Sequence, residues 1–117
     1  MNGPNFEEIC KLHANLCSAL ADPSRILMIY ALADRPYTVN DLAGRLGLGQ
    51  SATSRHLKTL RERGLVRASR QGPSVEYSLA DTRLIEALDL LRLILRDSIA
   101  RRADLMQATA LADLAAG

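Results

Sequence analysis

Polar side chains that can hydrogen-bond to other molecules recur at regular spacing near the middle of the chain. The residues at positions i, i+3, i+4 and i+7 of this pattern are Ser51, Ser54, Arg55 and Lys58. In an α-helix this spacing puts them on one face. Small hydroxyl groups let a helix approach a DNA groove closely, while Gln50 can pair with adenine and Arg55 with guanine or a phosphate. We therefore predict that Lys58 holds a phosphate and that bases are read by Gln50, Ser51, Ser54 and Arg55.

A second group of cations surrounds a predicted β-hairpin. Two β-prone runs, residues 65–69 and 75–79, flank the turn-forming residues Gln71-Gly72-Pro73-Ser74. Arg67 and Arg70 flank the tip and are predicted to hold phosphates, with Gln71 at the tip itself. A basic ribbon beside a groove-binding helix is a wing, which can reach a neighbouring minor groove or the DNA backbone.

The distribution of charge favours a polyanionic partner. The whole chain has a formal net charge of only +2. Between residues 50 and 72, six basic residues accompany one acidic residue, a net charge of +5, whereas residues 81–117 carry a net charge of −1. Such a concentration of cations is expected of a DNA-binding surface. A winged-helix protein-interaction module is the alternative, and a steep loss of binding with rising salt distinguishes DNA from it.

The elements that must position these residues follow from the pattern of apolar and turn-forming residues. Apolar residues at steps of three and four predict a first helix over 5–20 and a long last helix over 81–100. The remainder to residue 117 extends the last helix or forms a short further one. Asp22-Pro23 begins a second helix. A helix-turn-helix over 38–63 and a wing over 65–79 complete the order.

The helix-turn-helix carries its own local signals. Thr38 followed by Asp41 is an N-cap pattern, and Gly47 accepts the positive φ that the turn requires. Ala43 is small enough for a close approach of the two helices. The second helix is expected to pack inward through Thr53, Leu57 and Leu60.

We predict an α+β fold, mostly α: a single winged helix-turn-helix domain over residues 1–117, with long first and last helices that form a dimer interface. No stretch reaches the roughly 18 apolar residues of a membrane span, and the N-terminus lacks the pattern of a signal peptide. A cytoplasmic protein without a membrane partner is expected. The sequence contains no nucleophile–base pair and no phosphate loop, so neither an enzyme nor a cofactor is predicted.

Five stretches of the chain, taken together, resemble the ArsR/SmtB family of metalloregulators. They are residues 21–27, 48–60, 64–66, 70–72 and 77–79, within a resemblance that covers about residues 16–100. The resemblance implies a homodimer in which the first and last helices pack across the twofold axis. It also implies a transcriptional repressor that leaves its double-stranded DNA operator when an inducer binds. One departure is Thr53, where the family more commonly has a Val-like residue.

The family's two usual metal sites can be compared residue by residue. A Cys-Val-Cys-Asp-Leu stretch corresponds to residues 38–42, which contain no thiol. A carboxylate and histidine site on the last helix corresponds to Asp81, Arg83, Ile94 and Asp97. Arginine and isoleucine cannot be zinc ligands. We expect no metal at these sites, and an inducer of unknown chemistry bound elsewhere.

Cys10, His13 and Cys17 share one face of the first helix. The two thiols are interpreted as core packing, or alternatively as a redox, reactive-sulfur or soft-metal sensor. They lie two turns apart, about 10 Å along the axis, so any bridge needs the other subunit or a distorted helix. His56, beside the groove-facing residues, is interpreted as packing or contacting a phosphate rather than titrating as a switch.

Overall fold

The computed structural model describes residue 3 and residues 5–116. Its elements, in chain order, are α1 (Phe6–Ala19), α2 (Pro23–Asp34), α3 (Val39–Leu46), α4 (Gln50–Glu62), β1 (Val66–Gln71), β2 (Ser74–Leu79) and α5 (Arg83–Ala116). The chain divides into two compact units, Met1–Thr82 and Arg83–Gly117. The fold class is confirmed: a mostly helical α+β winged helix-turn-helix.

The first three helices begin at side chains that the sequence places there. In each case a side-chain oxygen accepts a backbone N–H of the first turn, which has no partner inside the helix. The pairs are Asn5 with Glu8 at 2.8 Å, Asp22 with Ser24 at 2.8 Å, and Thr38 with Asp41 at 3.2 Å. The predicted caps at Asp22 and Thr38 are therefore confirmed.

The core of the first unit lies where α2, α3 and α4 meet. Its fully buried side chains are Met28, Ile29, Leu42, Thr53, Leu57 and Leu60. The predicted inward face of α4 is confirmed, and Ala43 is buried as the close approach of α3 and α4 requires. Each fully buried aliphatic side chain contributes about 1.5–3 kcal/mol to folding, so this cluster holds α4 with its other face outward.

The turn between α3 and α4 depends on a left-handed residue. Gly47 has φ +65° and ends α3, with its N–H donating to the carbonyl oxygen of Ala43. A Cβ at this position would meet no atom within 4 Å. Glycine is therefore required for its backbone conformation and not for lack of space.

The two strands of the wing extend further toward its tip than the sequence predicts, although the wing as a whole, 66–79, stays within the predicted 65–79. β1 and β2 pair antiparallel from Val66 with Leu79 to Gln71 with Ser74, beyond the expected strands 65–69 and 75–79. Gly72, at φ +63°, and Pro73 alone make the turn. A positive φ followed by proline suits a two-residue hairpin loop of type II′, so Gln71 ends β1 instead of lying in the turn.

The last helix continues beyond residue 100, which is one of the two alternatives that the sequence predicts for the remainder of the chain. α5 continues for 34 residues to Ala116, because no glycine or proline interrupts residues 83–116. Its exposed large apolar side chains include Leu91, Leu95, Ile99, Met106 and Leu114. α5 therefore presents far more apolar surface than a solvated helix needs.

The apolar face of α1 is also exposed in the single chain. Phe6 is 81% exposed and Leu12 63% exposed. Cys10 and Cys17 are free thiols, both exposed. Neither thiol is buried in the single chain, so the interpretation of the two cysteines as core packing is not confirmed.

Among the described residues, no single helix has the length and apolar character that crossing a membrane takes. α1 and α2 reach that threshold only when counted together, across a 90° bend.

Candidate nucleic-acid interface

The exposed face of α4 collects the five predicted contact residues. Gln50, Ser51, Ser54, Arg55 and Lys58 are all exposed, while Thr53, Leu57 and Leu60 are buried on the opposite side. One side of α4 therefore packs into the core and the opposite side faces solvent. Gly49, the N-cap, supplies no side-chain acceptor for the first-turn amides, so these donors face outward at the positive end of the helix dipole.

The wing places its cations on two different faces. Arg67 pairs with Ser78 across the ribbon and Arg70 pairs with Val75; both arginines are exposed. Because side chains alternate along a strand, Arg67 and Arg70 project from opposite faces. Gln71 shares the face of Arg67, and its Nε2 donates to Ser69 Oγ at 3.1 Å.

A cleft of about 400 Å³ separates the start of the helix-turn-helix from the wing. Gln50 lines it together with Asn40 and Ser74, two exposed polar residues that the sequence interpretation did not select. Asn40 lies in the first turn of α3 and Ser74 begins β2. Asn40 and Ser74 are far apart in the sequence, so the sequence alone does not predict that they lie close together. Each lies at the start of an element, where polar contacts are common.

Tyr37 connects the wing to the helix-turn-helix. Its backbone N–H donates to the Tyr77 carbonyl at 3.0 Å, and the Tyr77 N–H donates back at 2.7 Å. The buried Tyr37 ring lies under the Arg35 guanidinium at 4.0 Å, and its hydroxyl accepts from Arg45. The wing is therefore held against the segment that precedes α3.

Arg45 completes this connection. Besides the Tyr37 hydroxyl it contacts the Asp34 carboxylate at 2.9 Å. The hydrogen bond to Tyr37, followed by the one to Asp34, raises the pKa of Arg45 above its ordinary value. The guanidinium is thus a permanent cation that joins the end of α2 to the last turn of α3.

His56 has a different environment from the other polar residues of α4. It is half-buried, and its Nδ1 lies 3.3 Å from Nη1 of Arg25. Arg25 belongs to α2, 31 positions earlier in the chain. The sequence does not predict that Arg25 contacts His56. Helical periodicity shows which face of α4 carries His56, but it does not show which residues of other helices pack against that face.

The described residues contain no group of three or more His, Cys, Asp and Glu side chains arranged to hold a metal ion. Residues 38–42, which correspond to one of the family's metal sites, serve a structural purpose. Thr38 caps α3 and Leu42 is buried.

Comparison with known proteins identifies relatives of this chain. A family model described as "Bacterial regulatory protein, arsR family" matches residues 22–68. The chain is 45% identical over 83 residues to the HTH-type transcriptional regulator CmtR of Mycobacterium bovis, covering 70% of each chain. It is 45% identical over 76 residues to the HTH-type transcriptional regulator NmtR of Mycobacterium tuberculosis, covering 65% of this chain and 63% of NmtR.

A solved structure shares the fold. The crystal structure of Rv0081 of M. tuberculosis superposes with a TM-score of 0.73 at 33% identity, covering 81% of this chain and 96% of that one.

Proposed function

Because this chain belongs to the ArsR/SmtB family of bacterial regulatory proteins, we propose that it represses transcription by binding operator DNA as a cytoplasmic homodimer. Its relatives NmtR and CmtR are HTH-type transcriptional regulators.

The division of α4 into two faces carries the proposal. In helix-turn-helix proteins the second helix enters the major groove and contacts base edges with its N-terminal residues. The exposed residues Gln50, Ser51, Ser54 and Arg55 occupy that part of α4. Lys58, one turn later, contacts a phosphate. The wing enters a groove edge-on. Because Arg67 and Arg70 lie on opposite faces of the wing, they contact opposite walls of that groove, and Gln71 reaches into the same groove.

A homodimer gives the exposed apolar faces of α1 and α5 a partner. Helix-turn-helix dimers bind half-sites about 34–36 Å apart, one helical turn of DNA. We expect a palindromic operator with that spacing. The two units of each chain then act as one functional domain, the first contacting DNA and both supplying apolar surface to the dimer.

The proposal is tested by measuring affinity for a duplex that spans the region upstream of the protein's own gene. Arg55→Ala is expected to lower the affinity about tenfold or more, as loss of a bidentate base contact does, with an unchanged circular dichroism spectrum. Lys11→Ala is the matched control, because Lys11 is an exposed α1 cation paired with Glu7 at 3.6 Å. Unchanged operator binding by the Arg55 variant would contradict the assigned groove face.

A promoter fusion tests the direction of regulation. Expression of the protein is expected to lower transcription from its own upstream region, and Arg55→Ala is expected to restore it. Transcription that rises with the protein would make it an activator. Binding that is insensitive to salt would favour a winged-helix protein-interaction module, because binding to DNA releases counterions and weakens steeply with salt.

The inducer is expected to bind outside the family's usual metal positions. Residues 38–42 offer no thiol, and Arg83 and Ile94 occupy two of the positions on α5. Titration with zinc, cobalt and nickel should therefore leave DNA affinity unchanged. Release of DNA by any of these ions would overturn this part of the proposal.

Thiol control of DNA binding is a second candidate, favoured by the exposure of Cys10 and Cys17. Two positions about 10 Å apart along one helix cannot join within the chain, so oxidation by diamide would link thiols of two subunits. A loss of affinity after diamide that is absent from Cys10→Ser and Cys17→Ser would establish the switch. Binding that ignores diamide would remove both thiols from consideration as sensors.

A further inference from the structure

Arg25 joins three helices through one guanidinium group. Its Nε donates to the carbonyl oxygen of Ala19 at 2.6 Å and its Nη2 to that of Ser18 at 3.3 Å. These are carbonyl groups of the last turn of α1, where a helix leaves acceptors unpaired and favours a cation. Its Nη1 lies 3.3 Å from Nδ1 of His56 on α4.

The chemistry of the guanidinium determines the state of the histidine. Arginine has only donors, so Nδ1 of His56 must be the acceptor. A neutral imidazole in this contact carries its proton on Nε2. A second proton on Nδ1 would remove the acceptor and bring two cations together at 3.3 Å.

Two charged groups at the start of α2 interact with the imidazole, Arg25 directly and Asp22 electrostatically, while the carbonyl oxygens of Ser18 and Ala19 on α1 accept from Arg25. Asp22 interacts electrostatically with His56 and Arg25, but its carboxylate oxygen already accepts the N–H of Ser24 at 2.8 Å. Attraction to Asp22 favours the imidazolium and the contact with Arg25 opposes it, so the pH dependence of DNA binding reports which effect is larger.

His56 follows Arg55 on α4, and α1 carries the exposed apolar face. We infer that Arg25 is a positioning residue for DNA binding: through neutral His56 it fixes the recognition helix against the end of α1, so that acidification weakens binding. This inference rests on the proposed function. Histidine changes charge between about pH 5 and 8, and the chain has only one other, His13.

Asp22 remains ionised across that range. The hydrogen bond from the Ser24 N–H holds the pKa of its carboxyl below the ordinary value. A change in DNA binding between about pH 7.5 and 5.5 therefore reports on histidine and not on this carboxylate.

The test uses a duplex enriched from a random library by repeated selection on the full-length protein. Failure to enrich any duplex would contradict the proposed function and not the Arg25 contact. With the enriched duplex, affinity is expected to fall about tenfold between pH 7.5 and 5.5, in line with loss of one hydrogen bond to a charged group. An affinity that rises on acidification would instead make His56 a phosphate contact and overturn the inference.

Matched variants separate the two histidines. In His56→Asn the amide oxygen is bonded to Cγ, as Nδ1 is, so the acceptor is kept but cannot be protonated. This variant is expected to lose the pH dependence of DNA binding, whereas His13→Asn keeps it. A pH dependence retained by His56→Asn, or lost in His13→Asn, would overturn the inference.

Arg25→Lys and a spectroscopic measurement complete the test, and neither needs an alanine variant, which would remove all three contacts of Arg25 at once. A single ammonium lacks the planar fork that spans the three acceptors, so Arg25→Lys is expected to weaken binding and flatten its pH dependence. Nitrogen-15 NMR of the DNA-free protein at pH 7.5 is expected to show His56 protonated on Nε2 alone. Protonation on Nδ1 would contradict the contact independently of DNA.

Discussion

Thr53 Oγ1 donates a hydrogen bond to the carbonyl oxygen of Gly49 at 2.9 Å, one turn earlier along α4. The same carbonyl also accepts the backbone N–H of Thr53 at 3.0 Å. A fully buried hydroxyl thus finds its partner within its own helix. The polar residue at this core position, where the family more commonly has a Val-like one, does not disturb the packing that holds α4.

Replacing that hydroxyl tests whether it is needed. Thr53→Val keeps the branched shape, and the Gly49 carbonyl keeps the backbone donor. We expect the free energy of unfolding to stay within about 1 kcal/mol of the original value or to rise, with DNA affinity unchanged. Urea denaturation measures this. A decrease of more than about 2 kcal/mol in the free energy of unfolding would mean that the hydroxyl has a further role. Thr53→Ala, in contrast, should lower the free energy of unfolding because it also leaves a cavity.

The wing turn offers a second prediction. Gly72→Ala forces an L-residue to φ +63° in open space, which costs about 1–2 kcal/mol. We expect a destabilised hairpin and weaker DNA binding through Arg70 and Gln71. Gly44→Ala is the control, because Gly44 is helical and equally open, so alanine should stabilise α3 by up to about 1 kcal/mol. Equal effects of both substitutions on DNA affinity would contradict a role for the wing.

The N-cap of α2 should make stability depend on acid. Because the Ser24 N–H lowers the pKa of Asp22 in the folded state, its contribution is present above about pH 4, the ordinary range of a carboxyl. It is lost as the pH falls through the lowered folded value. Asp22→Asn keeps a capping oxygen but cannot ionise. Its thermal midpoint should be below that of the original protein at pH 7 and converge with it near pH 2; a gap that persists there would contradict the assignment.

Lys58 should affect DNA affinity without affecting sequence preference. Each phosphate contact contributes about 0.9 to the slope of log affinity against log salt, so Lys58→Ala in a dimer should reduce the slope by about 1.8. The loss should be equal for operator and random duplexes. Lys11→Ala should leave the slope as it was. A loss confined to the operator would make Lys58 a base-reading residue.

Local signals along the sequence determined where the elements begin and which face of α4 is exposed. Asp22, Thr38 and Gly47 act on residues within four positions of themselves, so their effect can be predicted without knowing the fold. The same holds for the opposite faces of α4, because helical periodicity alone separates Leu57 from Lys58.

Only the tertiary structure decided which distant residues meet. The contact of Arg25 with His56 and the pairing of Tyr37 with Tyr77 join segments 31 or more positions apart, and no periodicity encodes such a separation. The exposure of Cys10 and Cys17 likewise depends on which side chains pack against α1, and the apolar pattern of α1 does not specify these. A periodic pattern specifies that a face is apolar, whereas its burial depends on the geometry of whatever packs against it.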